Sequence, residues 1–191
     1  MCVKIFIVLL LFPVFTSCFF AIDQVKNKTL PNRTSKIPQD DNYFKHKYHD
    51  QYVITHLNDI DTDAVYVKIG YINPRGERHF DQPGETRYTS IYRFYENGNV
   101  NRFTVNTKEI DQDPELDPDQ SGSRGVSFVK RRDTVIDMIG AIDQARSIGR
   151  IHLRVRLEQD TLFVRNRSES HTYLYLKRPL TEKNRKFKAE W

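Results

Sequence analysis

The chain is poor in cysteine. Two occur among 191 residues, Cys2 and Cys18, and both precede residue 19, so the rest of the chain forms no internal disulfide. A disulfide-stapled secreted scaffold is excluded. Long apolar runs are equally scarce: one stands at the N-terminus, and no later segment reads as a membrane span. Charge of one sign is not in large excess, with 30 Lys+Arg against 25 Asp+Glu and a net charge of +5. A balance this mild describes a mixed surface rather than a nucleic-acid footprint, so nucleic acid is not an expected partner. Catalytic signatures are missing as well: there is no Gly-x-Ser-x-Gly elbow, no His-Glu-x-x-His and no phosphate-binding glycine loop. No catalytic residue, no metal site and no cofactor is therefore assigned, and the expectation is a protein that is not an enzyme.

What is present begins at the N-terminus. Lys4 precedes the uncharged apolar residues 5–15, and Thr16-Ser17-Cys18 follows. A basic start, a short apolar core and small residues before a cleavage point make an export signal over residues 1–17. Small residues set directly before a Cys resemble the lipobox of bacterial lipoproteins, which implies that Cys18 becomes the first residue of the mature protein and carries the lipid. Two other readings stay open. Residues 5–22 form an uncharged stretch at the short limit for a span and interrupted by Pro13, which would act as an uncleaved anchor. Ordinary cleavage near Cys18 would instead release a soluble, secreted chain. Phe19 follows the Cys where an Asp often retains lipoproteins at the inner membrane, so the expected place is the outer membrane, facing the periplasm. Asn27, Asn32 and Asn166 open Asn-X-Ser/Thr triplets, which arise by chance in a chain of this composition.

Residues 18–45 read as a lipidated N-terminus and flexible tether. Within them residues 23–41 are polar, contain Pro31 and Pro38 and show no sustained helical or strand period. A flexible linker of that length reaches roughly 26–31 Å, enough to hold a domain clear of lipid headgroups. His46, His49 and His56 follow among several Asp residues, but their spacing matches no metal motif and reads as a solvated entry into the domain.

From Ala64 onward strand signals dominate. Val65, Val67, Ile69 and Tyr71 alternate with Tyr66, Lys68 and Gly70, and Asn73-Pro74-Arg75-Gly76 is a turn. Residues 87–95 and 100–106 are two strands joined around Asn97-Gly98, a strong hairpin signal. A two-residue loop there sets Tyr95 opposite Val100, Arg93 opposite Arg102 and Tyr92 opposite Phe103. Tyr92, Phe94, Phe103 and Val105 then share the buried face. Ile151, Leu153, Val155 and Leu157 alternate with His152, Arg154, Arg156 and Glu158. Gln159-Asp160 turns that strand into residues 161–165, with Leu157 meeting Leu162 and Val155 meeting Val164. Residues 135–142 and 172–177 supply two more strands, and 143–148 reads as a loop. The fold class is mostly β: a single antiparallel meander forming a closed or nearly closed barrel over residues 46–180, with a disordered N-terminal tether and a basic tail over 181–191 that frays in solvent.

The string Ile91-Tyr92-Arg93-Phe94-Tyr95-Glu96-Asn97-Gly98 and the strand–Gln-Asp–strand pair over residues 150–165 resemble hairpins of small lipocalin-like β-barrel lipoproteins of outer-membrane bacteria. The resemblance spans most of residues 64–180. It implies a barrel interior that holds an apolar ligand, with Tyr92, Phe94 and Phe103 as the candidate lining.

Two charged features remain. Glu109, Asp111, Asp113, Glu115, Asp117 and Asp119 place carboxylates at alternate positions, as a calcium loop does. The twelve-residue pattern fails, because a loop starting at Asp111 puts Leu116 at the glycine position and one starting at Asp117 ends on Phe128. The two-residue register sets Arg93 against Arg102, a repulsive pair that Asp137, Glu158 or an anion would have to offset. With Arg154 and Arg156 also on outward positions, the four arginines read either as cross-strand ion pairs or as a face for an anionic partner such as lipid or glycan. The function classes that follow are a lipid-anchored envelope module binding an envelope protein, glycan or apolar ligand, and a structural lipoprotein with a filled core. The N-terminal reading is tested by mass spectrometry of the mature protein: an acylated Cys18 is expected, and a chain retaining Met1 or starting beyond Cys18 contradicts it.

Overall fold

The computed structural model describes residues 25–40, 42–44, 60–82, 84–130, 133–141, 148–166 and 169–191. Cys18 and the three histidines 46, 49 and 56 lie outside them, as do 142–147, most of the expected 143–148 loop. Eleven strands form among the described residues: β1 Asn27–Thr29, β2 Lys36–Pro38, β3 Ala64–Ile72, β4 Arg78–Phe80, β5 Tyr88–Phe94, β6 Asn99–Asn106, β7 Ser123–Lys130, β8 Asp133–Ala141, β9 Ile148–Glu158, β10 Thr161–Asn166 and β11 Thr172–Pro179. Strands β3 and β5 to β11 pair antiparallel in sequence order, and β11 pairs back onto β3 from Thr172↔Ile72 to Pro179↔Ala64. The sheet closes into an eight-stranded antiparallel barrel, as the meander predicts, and closure leaves no long free edge. The short β4 adds to the far end of β3, beyond the residues that pair with β5. Among the described residues no helix is long and apolar enough to cross a membrane.

Alternation decides what faces inward. Tyr66, Phe94, Val100, Ile136, Val155 and Leu162 pack together inside the barrel, and the Tyr66 and Phe94 rings meet edge to face at 5.6 Å. Each is nearly or fully excluded from water, so this end of the barrel is a filled core. The β9–β10 hairpin has the predicted register, with Leu162↔Leu157 and Val164↔Val155. Its two-residue turn places Gln159 at a left-handed φ of 53°.

The β5–β6 hairpin departs from the predicted register. The Gly98 N–H donates to the Tyr95 carbonyl and the Tyr95 N–H to that of Asn99, each at 2.9 Å. The loop is therefore Glu96, Asn97 and Gly98, with Gly98 at φ 83°, the three-residue form in which a tight turn ends on a left-handed residue. The added residue pairs Phe94 with Val100, Tyr92 with Arg102 and Ile91 with Phe103. Because side chains alternate with period two, a one-residue shift inverts β6. Val100 and Arg102 point into the barrel, and Phe103 points out.

The outer wall is not simply polar. Val65, Val67, Ile91 and Phe103 form an external apolar patch under Leu116 and Leu180. Tyr95, Val126 and Ile139 form a second one under Phe44, Ala189 and Trp191. Segments expected to be free supply these covers. Residues 27–38, assigned by sequence to the tether, pair as a β1–β2 hairpin with Ile37 fully buried. The tail docks rather than frays. Arg93 Nη2 donates to the Phe187 carbonyl at 2.8 Å, and Asn97 and Asn99 donate to that of Ala189 at 2.6 and 3.0 Å. Trp191 Nε1 donates to the Gly125 carbonyl at 3.1 Å. The apolar Phe187, Ala189 and Trp191, spaced two apart between charged residues, give this tail a strand-like stripe that finds an apolar wall.

The acidic run is held by the same end of the chain. Asp111 pairs with Arg178 at 2.9 Å, Asp113 accepts from Thr181 and Asn184, and Asp119 pairs with Arg124. Buried Asn184 also accepts from the Leu116 N–H at 2.8 Å. Phe94→Ala is expected to cost about 3–5 kcal/mol, because the ring is wholly packed and its removal leaves a cavity. Arg154→Ala, on the wet outer face, should stay within about 0.5 kcal/mol. Urea unfolding of both variants measures the difference.

Candidate functional site

The core does not fill the barrel. Past the layer of Phe94 and Val100, the interior opens into a cavity of about 690 Å³ lined by residues of β3, β5, β6, β9, β10 and β11. That size lies within the range of small-molecule sites, about 300–1,000 Å³. One wall is apolar, with Ile151, Leu153 and Val164. The other carries Lys68, Ser90, Tyr92, Arg102, Tyr173 and Tyr175.

The polar wall is built from adjacent strands. Tyr92 and Arg102 are cross-strand partners on β5 and β6. The Tyr92 ring packs edge to face on Tyr175 of β11 at 4.9 Å, and the Tyr175 hydroxyl hydrogen-bonds the Ser90 hydroxyl at 3.0 Å. Arg102 stands deep among these residues while its side chain stays partly open to the cavity. Burial pulls its pKa down, but the charge that Tyr92 and Tyr175 would bear as phenolates, a hydrogen bond to Tyr92 and, more weakly, Glu169 outweigh that and leave it raised. Burial likewise raises Tyr92, which Arg102 draws partly back. It raises Tyr175 well above the ordinary phenol value. Both phenols therefore keep their protons and present O–H groups beside a permanent cation.

Gly140 of β8 lies against that cation. A Cβ added there would touch Arg102 Nη2 at an ordinary 3.4 Å and crowd Ile151 Cδ1 at 3.2 Å, so side chains longer than alanine would compete with the guanidinium for this space. Other charges at the cavity have partners. Lys68 Nζ pairs with Asp81 at 2.8 Å. On the outward side of the β8–β9 wall, Arg150 bonds the fully buried Asp137 carboxylate through Nε at 2.7 and 2.9 Å. Glu169, near the mouth, accepts from Asn166 Nδ2 at 2.9 Å, and the Tyr173 pKa is raised by burial first and by Glu169 second.

The residues singled out in the sequence are distributed differently from the expected faces. Tyr92 lines the cavity, and Phe94 lies one layer below it in the packed floor. Phe103 is outside the barrel, beneath Leu116 and Leu180, because the three-residue turn inverts β6. The same inversion separates the four arginines. Arg102 is inside. Arg93 is outside but 3 % exposed, under the tail and 4.5 Å from the Tyr95 ring centroid. Arg154 and Arg156 remain on the wet face of β9, beside Asp133 and Glu158. They do not form one basic face, and Arg93 no longer opposes Arg102. Asp137 and Glu158 answer other arginines. Tyr173 and Tyr175 were not singled out, although their alternation along a recognised strand could have placed them inside with Tyr92. No local pattern marks Gly140.

The fold and the cavity define a closed antiparallel β-barrel with one open, partly polar end. No family model, curated protein or solved structure matches the chain.

The buried phenols make stability fall in alkali. The unfolded chain loses its tyrosine protons as pH passes the ordinary value of 10.0, while the folded protein retains those of Tyr92 and Tyr175. Between the unfolded and folded pKa values the unfolded state binds fewer protons, so stability is full below about pH 10 and is lost as pH rises above it. Tyr175→Phe removes one such group. Its urea midpoint should fall less steeply above about pH 10 than that of the parent protein; an unchanged slope would show that Tyr175 ionises normally.

Proposed function

We propose that the protein is a binding module that takes a small, partly apolar molecule into the open end of its barrel. The observation that carries this reading is the division of the interior. Large side chains fill one end to exclusion of water, whereas the other end keeps a cavity of about 690 Å³ with an apolar wall facing a polar one. A protein whose barrel served only as a structural body would gain stability by filling that space as well. The apolar wall of Ile151, Leu153 and Val164 supplies the hydrophobic contact, and the Tyr92–Arg102–Tyr175 wall supplies orientation.

The proposed setting is the cell envelope. The apolar leader ending in Thr16-Ser17-Cys18 supports lipidation at Cys18, the hairpins at 91–98 and 150–165 support the resemblance to lipocalin-like lipoproteins of outer-membrane bacteria, and Phe19 after the Cys supports a place at the outer membrane on the periplasmic side. The reading assigns no catalytic step and no cofactor.

The barrel reading is tested with N-phenyl-1-naphthylamine, a neutral apolar dye that brightens on leaving water. The mature protein should bind it saturably, one dye per barrel. Ser90→Trp, which fills the cavity beside Tyr175, should reduce that binding at least about tenfold while the urea midpoint confirms a folded barrel. Absence of saturable binding, or binding indifferent to the Trp, contradicts a ligand site inside the barrel.

A further inference from the structure

We infer that the ligand carries one acid group, an oxyanion seated on Arg102, with its apolar body along Ile151, Leu153 and Val164. This rests on the reading of the barrel as a binding site and goes further by naming the chemistry of the ligand.

The first support is the pairing pattern. Lys68, whose side chain shares the cavity, has a carboxylate at ion-pair distance. Among the described residues Arg102 has none within 4.0 Å; its polar surroundings are the Tyr92 and Tyr175 hydroxyls, with Glu169 acting only from a distance. Desolvating a guanidinium without a counter-charge is unfavourable, and a partner of opposite charge offsets that cost where its geometry is good and neighbouring donors satisfy its remaining lone pairs. The cavity is where such a partner would sit, because Arg102 is still partly exposed there.

The second support is the character of the neighbouring groups. Both tyrosines hold their protons, so each offers an O–H to an incoming oxyanion and neither repels it as a phenolate. A guanidinium flanked by hydroxyl donors matches a carboxylate, sulfonate or phosphate oxygen set, through charge-assisted hydrogen bonds that a neutral ligand does not form. The third support is Gly140, which stands beside the guanidinium and keeps longer side chains out of the space around it. Glu169 limits the charge: as a carboxylate lining the mouth, it disfavours a second negative group on the outer part of the ligand.

The test compares two dyes that differ by one acid group. 1-Anilinonaphthalene-8-sulfonate is N-phenyl-1-naphthylamine with a sulfonate added. The sulfonate should bind about 10- to 100-fold more tightly, the gain expected of hydrogen bonds to a charged partner. Arg102→Met should abolish that preference while leaving affinity for the neutral dye within about twofold, since its apolar contacts lie on the other wall. Displacement of the neutral dye then identifies the acid. 1-Naphthoate or 1-naphthyl phosphate should compete better than 1-naphthol, and their order tells a carboxylic acid from a phosphate monoester. Equal affinity for both dyes, or a preference that survives Arg102→Met, overturns the inference while leaving the binding reading intact. Failure of both dyes to bind removes the binding reading itself. If Arg102→Met does not fold, the naphthoate-to-naphthol ratio of the parent protein decides: a ratio near one overturns the inference.

Discussion

The organisation of the barrel interior depends on the length of one turn. Gly98 at a left-handed φ allows Glu96, Asn97 and Gly98 to join β5 and β6 as a three-residue loop. With period-two alternation, that count decides which half of β6 is inside. Val100 then completes the packed floor with Phe94 and Tyr66, and Arg102 rises above that floor into the cavity. A two-residue loop would exchange Arg102 for Phe103, fill the open end with an aromatic ring and leave a guanidinium on the outer wall. The difference between a filled barrel and a barrel with a cationic cavity thus lies in a single backbone conformation well away from the cavity.

The outer wall follows from the same inversion. Phe103, turned outward, joins Val65, Val67 and Ile91 in a patch that needs a cover, and Leu116 and Leu180 provide it. Bringing Leu116 into place requires the acidic segment to run across the wall. Its carboxylates are answered there by Arg178 and by the Thr181–Asn184 turn. The tail continues over Arg93 and ends with Trp191, whose indole lies 4.7 Å below the Arg124 guanidinium. The barrel is packed on both sides of part of its sheet. Part of its apolar burial therefore lies outside the barrel.

The fold was legible because its signals are local. Ile151 to Leu157 alternates strictly, Gln159-Asp160 is a turn of unambiguous length, and the strand spacing of a meander leads to closure. The β3 pattern was legible too, although both its faces are apolar, since Tyr66 faces the core while Val65 and Val67 face the covering segments. The β5–β6 register was not, because Asn-Gly suits a two-residue loop and also the last two positions of a three-residue one; only the hydrogen bonds to Tyr95 and Asn99 tell them apart. The docked hairpin and tail were missed for a related reason. Short apolar stripes such as Phe187, Ala189 and Trp191 look polar on average, and the wall that orders them comes from distant strands. The candidate site was half legible: Tyr92 and Arg102 stood in the recognised hairpin but on opposite assigned faces, and Gly140 acquires meaning only beside Arg102.

The central claim is that Arg102, not Phe103, pairs across from Tyr92 and so points inward. Backbone nuclear Overhauser contacts in the isotope-labelled protein measure this directly. Cross-strand contacts that pair Tyr92 with Arg102 and Phe94 with Val100 are expected. Contacts pairing Tyr92 with Phe103 and Tyr95 with Val100 would contradict that register, returning the arginine to the outer wall and removing the cation from the cavity.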